Sequence, residues 1–390
     1  MAPPAPPVLP AGSATTCDVL GLTSDQFAQA ARLVLPVGHG IAHRLYPEAF
    51  SAGRLAVDRH PVSAGSAATW LRHFRVGLLD IVRTVEEDTP SGITAKAVLR
   101  THDGYEIECV RIPMHRDADG TMAFTLCISS QVGCKMGCTF CETGRMGLLR
   151  NLTAAEIVAQ VVTVRACLGW EPRNLVFMGM GEALDNVDQV IQALRVLIDK
   201  RGLHFSHERL TVCTSGHAEG IARLAELGWK RLNLSISLNG ADDELRSRIM
   251  PVNRRTPLVE LQRILAQYPQ RRNFTLGVNW CLLPGLNDRR EDAALIREFC
   301  APLGRVLINV IPFNPGGAPI TRAPTEDEVV QFIAWLREEG LPVRRRMTKG
   351  RTIMAACGQL GNADLRKKRR GDLPATLEAP APLVAPAADA

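Results

Sequence analysis

Hydrophobic and polar positions change their period twice along the chain. Between residues 18 and 73 apolar residues recur at helical spacing, with Phe27, Ala30 and Leu33 on one face and Thr23-Ser-Asp-Gln26 as a start signal. Between residues 93 and 113 the period falls toward two: stretches at 94–99 and 105–112 flank His102-Asp-Gly104, which predicts an antiparallel hairpin. From Met122 onward, short apolar runs alternate with amphipathic stretches. Strands are expected at 122–128, 174–178, 209–213, 231–238, 275–283 and 305–313. Helices are expected at 153–168, opened by the capping box Thr153-Ala-Ala-Glu156, and at 187–199, 218–227, 258–268 and 291–299. Such alternation implies parallel strands joined by crossovers. Six strand–helix units predict an α/β fold, a partial (β/α)6 barrel with its working loops at the C-terminal strand ends. The expected division is a disordered Pro/Ala-rich segment at 1–16, a small helical accessory domain at 17–93, the barrel domain at 94–361, and a basic then Pro/Ala-rich tail at 362–390.

Composition narrows the class. The 390 residues are 46% hydrophobic and 22% charged, as in an ordinary globular protein. No apolar run approaches the roughly 20 residues of a membrane span. The start, Met1-Ala-Pro-Pro-Ala-Pro-Pro, lacks the basic and apolar regions of a signal peptide, so a cytoplasmic location is expected. Eleven unevenly spaced cysteines fit a reducing compartment better than a disulfide scaffold. The net charge of +6 is a mild bias toward polyanions and permits RNA. Arg344-Arg-Arg346, Lys349, Arg351 and the run Arg366-Lys-Lys-Arg-Arg370 flank Cys357, either as phosphate contacts or as solvated charge.

The candidate chemistry centres on Cys127-Ile-Ser-Ser-Gln-Val-Gly-Cys134-Lys-Met-Gly-Cys138-Thr-Phe-Cys141. Cys134, Cys138 and Cys141 stand at C-x3-C-x2-C spacing in a Gly-rich loop just after a strand. Three close thiolates suit a [4Fe-4S] cluster with one iron left open. A zinc site would want a fourth ligand, and His115 lies too far upstream; core packing would not want a loop so rich in Gly, Ser and Gln. Later strand ends carry small polar groups: Met178-Gly-Met-Gly-Glu182, Thr211-Val-Cys-Thr-Ser-Gly216, Ser235-Ile-Ser-Leu-Asn239 and Ile311-Pro-Phe-Asn314. Each alone reads as a turn or cap; together they suggest a lined pocket, with the paired glycines admitting a ligand to the backbone and Glu182 facing an ammonium. Taken singly, Glu108 reads as a solvated strand residue, Cys127 as core and Cys357 as packing at a helix end; Cys109, Cys167, Cys281 and Cys300 read as core, and His204 and His207 as surface.

These motifs, with Asn151-Leu-Thr-Ala-Ala-Glu-Ile157 and Ala355-Ala-Cys357-Gly-Gln-Leu360, resemble the RlmN/Cfr family of radical S-adenosylmethionine (AdoMet) RNA methyltransferases across about residues 94–361. The resemblance implies methylation of an adenine ring carbon, C2 in preference to C8, in rRNA, tRNA or both. Both carbons are too electron-poor to take a methyl from AdoMet directly, so a radical route is needed. It further implies one [4Fe-4S] cluster on Cys134, Cys138 and Cys141, and two AdoMet per turnover. Cys357 would carry the methyl as S-methylcysteine, helped by Arg346 and Lys349; Glu108 would take the ring proton; Cys127 would release the protein–RNA adduct by a disulfide with Cys357. AdoMet contacts carry over to Gly181, Glu182, Cys213 (a Ser in most of the family), Ser237, Leu238, Asn239 and Asn314. An electron donor such as flavodoxin or ferredoxin is implied, and no membrane. Asn279-Trp280, Ala183, Arg351-Thr-Ile-Met354 and the first 90 residues depart from the family pattern on the substrate side. Two other readings stay open: the same chemistry on a non-RNA acceptor, and a non-catalytic RNA-binding protein with a structural metal.

Overall fold

The computed structural model describes residues 16–361 apart from 90, 117–119, 121, 270 and 318; of the segment expected to be disordered, 1–16, all but Thr16 lies outside the described residues, as does the whole tail at 362–390, including Arg366–Arg370. The chain opens with β1 (Cys17–Asp18), α1 (Ser24–Val34), α2 (Ala42–Ala52), α3 (Ala64–His73) and β2 (Phe74–Arg75), with β1 and β2 paired. The start signal before α1 is a closed capping box: Thr23 accepts from Gln26 N, and the Gln26 carboxamide accepts from Thr23 N at 2.9 Å. Phe27, Tyr46, Phe50, Trp70 and Phe74 pack ring against ring, 4.8 to 6.0 Å between centroids, and give this small unit its own apolar centre.

β3 (Asp80–Glu87), β4 (Thr94–Arg100), β5 (Glu106–Arg116) and β6 (Met122–Cys127) follow as an antiparallel run. A hairpin of β7 (Gln131–Cys134) and β8 (Gly147–Asn151) then encloses α4 (Glu142–Met146). The alternating part runs α5 (Ala154–Leu168), β9 (Asn174–Phe177), α6 (Val187–Leu197), β10 (Leu210–Thr214), α7 (Ala218–Ala225), β11 (Asn233–Ser237), α8 (Asp243–Ile249), α9 (Leu258–Ala266), β12 (Leu276–Leu282), α10 (Arg290–Cys300), β13 (Val306–Pro312), α11 (Glu326–Glu338) and β14 (Val343–Arg345). One ten-stranded sheet takes its strands in chain order from β3 to β14, skipping only the β7–β8 hairpin. Pairing is parallel from β6 onward. The edge strands β3 and β14 do not meet, so the six strand–helix units make a partial barrel, closed off at one edge by β14.

β3, β14, α8 and α11 were not foreseen. β3 alternates charges (Asp80, Arg83, Glu86, Glu87) with few apolar residues, which leaves no period-two hydrophobic signal although it joins the main sheet. α11 did carry a start signal, the capping box of Thr325 and Glu328. The helical unit is fastened to the barrel through α6 and its end: Gln192 Nε2 donates to Gly21 O at 2.9 Å, and Ser24 N donates to Asp199 at 2.7 Å. Among the described residues no helix is long and apolar enough to cross a membrane.

Candidate active site

A cavity opens where the parallel strands end. Its wall takes Cys134, Cys138 and Cys141 from the loop after β6, Gly181 and Glu182 after β9, Cys213 and Ser215 at the end of β10, Ser237 and Asn239 after β11, Asn279 and Cys281 on β12, Phe313 after β13, and Cys357. The strand ends thus form one pocket, as their small polar residues implied.

The cysteine loop is locked to the end of β9. Ser130 N and Gln131 N both donate to Met180 O, and Glu182 N donates to Gln131 Oε1 at 2.8 Å. A Cβ on Gly179 would stand 2.6 Å from the Ile128 backbone, and Gly181 holds φ +102° against Gln131. These glycines therefore let one loop of the chain close on another while also facing the cavity, where the sequence alone suggested approach to a ligand. The Glu182 carboxylate caps the turn after it: Oε1 accepts from Leu184 N at 3.1 Å, and Oε2 from Ser215 N at 2.7 Å and Ser215 Oγ at 2.8 Å. Arg246 is wholly buried and donates to Ser215 O at 2.6 Å, Leu238 O at 3.0 Å and Asn253 Oδ1 at 2.7 Å, pinning the ends of β10 and β11; burial draws its guanidinium down to about 10. Sequence reading missed it, since an arginine in a surface-patterned helix gives no sign of burial.

Burial pushes the Cys134 thiol up to about 12, the Cys138 thiol well above its usual value and the Cys141 thiol upward; repulsion among the three adds to the effect at Cys134 and Cys138. Cys134 is buried and Cys138 and Cys141 half-buried, and a cationic group bound among them would be what holds all three as thiolates. Among the described residues no three His, Cys, Asp or Glu side chains stand close enough to share a single metal ion. Cys134, Cys138 and Cys141 all line the one cavity, a donor set of thiols alone that is in keeping with an iron–sulfur cluster. Asn314 follows the cavity-lining Phe313; its Nδ2 donates to Pro312 O at 3.1 Å, and its Oδ1 is buried without a partner. Leu238 sits otherwise, fully buried, its N–H donating to Asn279 O and its carbonyl accepting from Arg246 Nε.

Cys213 stands in a neutral polar cluster. Asn279 Nδ2 donates to its Sγ at 3.3 Å and to Ser235 Oγ at 2.9 Å, Asn309 Nδ2 donates to Asn279 Oδ1 at 3.1 Å, and burial raises the Cys213 thiol to about 12. Cys281, expected in the core, lines the cavity, and Cys167 is exposed; Cys109 and Cys300 are buried as expected.

Cys357 is exposed on its outer side and lines the cavity on the other. Its loop is held at many points: Glu142 N donates to Gly358 O at 2.8 Å, Gln359 Nε2 to Pro315 O at 2.9 Å, and Gly361 N to Glu108 Oε2 at 2.9 Å. Cys127 lies behind the wall, buried, and desolvation raises its thiol strongly. Both are free thiols. Arg346 acts electrostatically on Cys127 and Cys213, whereas Lys349 donates to Pro113 O. Glu108 corrects the solvated reading: its side chain is 6% exposed and pairs with Lys96 Nζ at 3.0 Å. Val110, two residues on, pairs with Cys127, so Glu108 and Cys127 share a face of the sheet.

Residues 128–296 match the Radical SAM superfamily. The crystal structure of a radical SAM methyltransferase from Sphaerobacter thermophilus is 34% identical with a TM-score of 0.76, over 87% of this chain and 98% of that one. Fold and site together thus define a radical SAM methyltransferase. The probable dual-specificity RNA methyltransferase RlmN 1 of Protochlamydia amoebophila is 40% identical over 357 residues, 91% of this chain and 97% of that protein. The dual-specificity RNA methyltransferases RlmN of Syntrophotalea carbinolica and Geotalea uraniireducens are 42% and 44% identical, over 74% and 68% of this chain and 75% of each of theirs. The chain belongs to the RlmN/Cfr family of radical AdoMet RNA methyltransferases.

Proposed function

We propose that this enzyme works in the cytoplasm and methylates C2 of an adenine in rRNA, tRNA or both, through S-methylcysteine at Cys357. The observation that carries the reading is Cys357 itself, exposed to an incoming base on one side and lining the cavity of Cys134, Cys138 and Cys141 on the other. The relatives' name, dual-specificity RNA methyltransferase, is in keeping with two kinds of RNA acceptor. Cys134, Cys138 and Cys141 would hold the [4Fe-4S] cluster, and Gly181, Glu182, Cys213, Ser237, Asn239 and Asn314 would surround AdoMet; Leu238 would act only by shaping the turn. When bound and reduced by a flavodoxin or ferredoxin, cluster and AdoMet supply a hydrogen-abstracting radical. Two AdoMet are used per turnover, one of them as methyl donor to the Cys357 thiolate by displacement. Cys357 presents the activated carbon to the ring. Glu108 takes the ring proton from the adduct, and the one unpaired electron that the adduct must lose would pass to the cluster held by Cys134, Cys138 and Cys141. The Cys127 sulfur then bonds to the Cys357 sulfur; the Cys357–carbon bond breaks, its electron pair stays with the departing carbon, and a proton completes the methyl group.

Mass spectrometry of nucleosides from rRNA and tRNA, from cells with and without the protein, tests this. 2-Methyladenosine that depends on the protein and on Cys357 is expected. A dependent 8-methyladenosine peak would move the assignment to C8, and neither peak, with Cys357 still methylated, would remove adenine as the acceptor.

A further inference from the structure

One buried ionisable group has no part in that chemistry. Lys96 lies on β4, and the β4 side chains from Thr94 to Leu99 are all buried. Its ammonium stands 3.0 Å from Glu108 Oε1, with both side chains 6% exposed. Burying two charges carries a desolvation cost that their mutual attraction need not repay, so such a pair is weak as a device for stability alone. The Lys96 nitrogen also donates to Met354 O at 3.0 Å, three residues before Cys357. The other Glu108 oxygen accepts from Gly361 N, four residues after Cys357. Lys96 and Glu108 therefore grip both flanks of the loop that carries the methyl. Strand register agrees: Lys96 pairs with Val110 and Val110 with Cys127, which puts Lys96, Glu108 and Cys127 on one face.

We propose that Lys96 is a positioning residue for Glu108. It supplies the carboxylate's counter-charge and, through Met354, sets its place relative to Cys357, so that Glu108 meets the ring proton once adenine is bound to the carrier. Lys96 itself touches no substrate; the proton passes from the ring carbon to a Glu108 oxygen, and the C–H electron pair stays in the ring. The inference rests on the roles proposed above for Glu108 and Cys357.

The test uses the full chain, loaded with cluster and AdoMet and given RNA, as wild type, Lys96→Met, Lys96→Arg and Glu108→Gln. Lys96→Met is expected to keep Cys357 methylation while the covalent protein–RNA adduct accumulates about tenfold, the scale of one lost hydrogen bond to a charged group. Lys96→Arg restores release, and Lys96→Met adds nothing on top of Glu108→Gln. In the chain without cluster, Gly361 amide exchange rises in Lys96→Met and not in Lys96→Arg. Loss of Cys357 methylation together with the adduct, or release at the wild-type rate, overturns the inference. If Glu108→Gln itself traps no adduct, the reading of Glu108 has failed; if it traps adduct and Lys96→Met does not, the role of Lys96 alone has failed.

Discussion

Asn314 shows how a single residue separates stability from function. A buried acceptor without a partner is a standing cost of about 1–3 kcal/mol, so removing it does not weaken the fold through that atom. Only the 3.1 Å bond from Nδ2 to Pro312 O is lost in Asn314→Ala. We expect the thermal midpoint to move little and AdoMet binding, by equilibrium dialysis on cluster-loaded protein, to weaken about tenfold, the equivalent of 1.4 kcal/mol. Unchanged affinity would show that Oδ1 serves some other group. That Cys134, Cys138 and Cys141 would gather on one site was legible in the sequence because local spacing sets it. Lys96 was not, and Glu108 was named only through the family resemblance, since a charge on a strand reads as outward-facing and the groups that claim these two, Met354 O and Gly361 N, lie 258 and 253 residues away. Cys281 looked like core because a thiol at a strand end carries no sign of which way it faces.

Among the elements, β3 has a task that its composition conceals. Glu87, at its end, accepts from Gly350 N, Thr352 N and Thr352 Oγ1, and so anchors the start of the Cys357 loop. Burial pushes this carboxyl up, but those hydrogen bonds outweigh it and hold it below its ordinary 4.5. A depressed carboxyl stabilises the folded state above its unfolded value and loses that contribution as pH falls through its folded one, so the anchor is complete at neutral pH and is lost only in acid, at a folded value lower than 4.5. Glu87→Gln should therefore speed amide exchange at Gly350 and Thr352 at pH 7, and wild type should reach the same rates, corrected for intrinsic exchange, only in acid. Equal rates at pH 7 would mean that the loop is held by its other contacts alone. The helices announced themselves better than this strand did: the Thr23 and Thr153 boxes are four-residue signals, readable without knowing the partner. A charged edge strand is recognisable only once its neighbour, β4, is in place.

At the scale of the whole molecule the open question is how RNA reaches Cys357. Nucleic-acid affinity is dominated by phosphate neutralisation, with a salt slope of roughly −0.7 per contact for single strands and −0.9 for duplex DNA. Of the basic residues before Cys357, Arg345 is held by Glu326 and Lys349 by Pro113 O, while Arg344 and Arg351 are exposed. Residues 362–390 carry five cations, Arg366, Lys367, Lys368, Arg369 and Arg370, against four carboxylates, so deleting them lowers the net charge by one. Net charge and local charge thus make opposite forecasts. If the field of the whole molecule draws RNA, a chain ending at residue 361 should bind almost as well as the full one. If the run beside the carrier makes the contacts, that chain should lose affinity and the salt slope should flatten by up to about 4. We expect the second outcome, with AdoMet binding unchanged, because a carrier at Cys357, as proposed above, needs its RNA held within reach. Replacing the five cations with Gln in the full-length chain separates charge from length: the same flattening assigns the effect to the cations, and an unchanged slope returns the run to solvent.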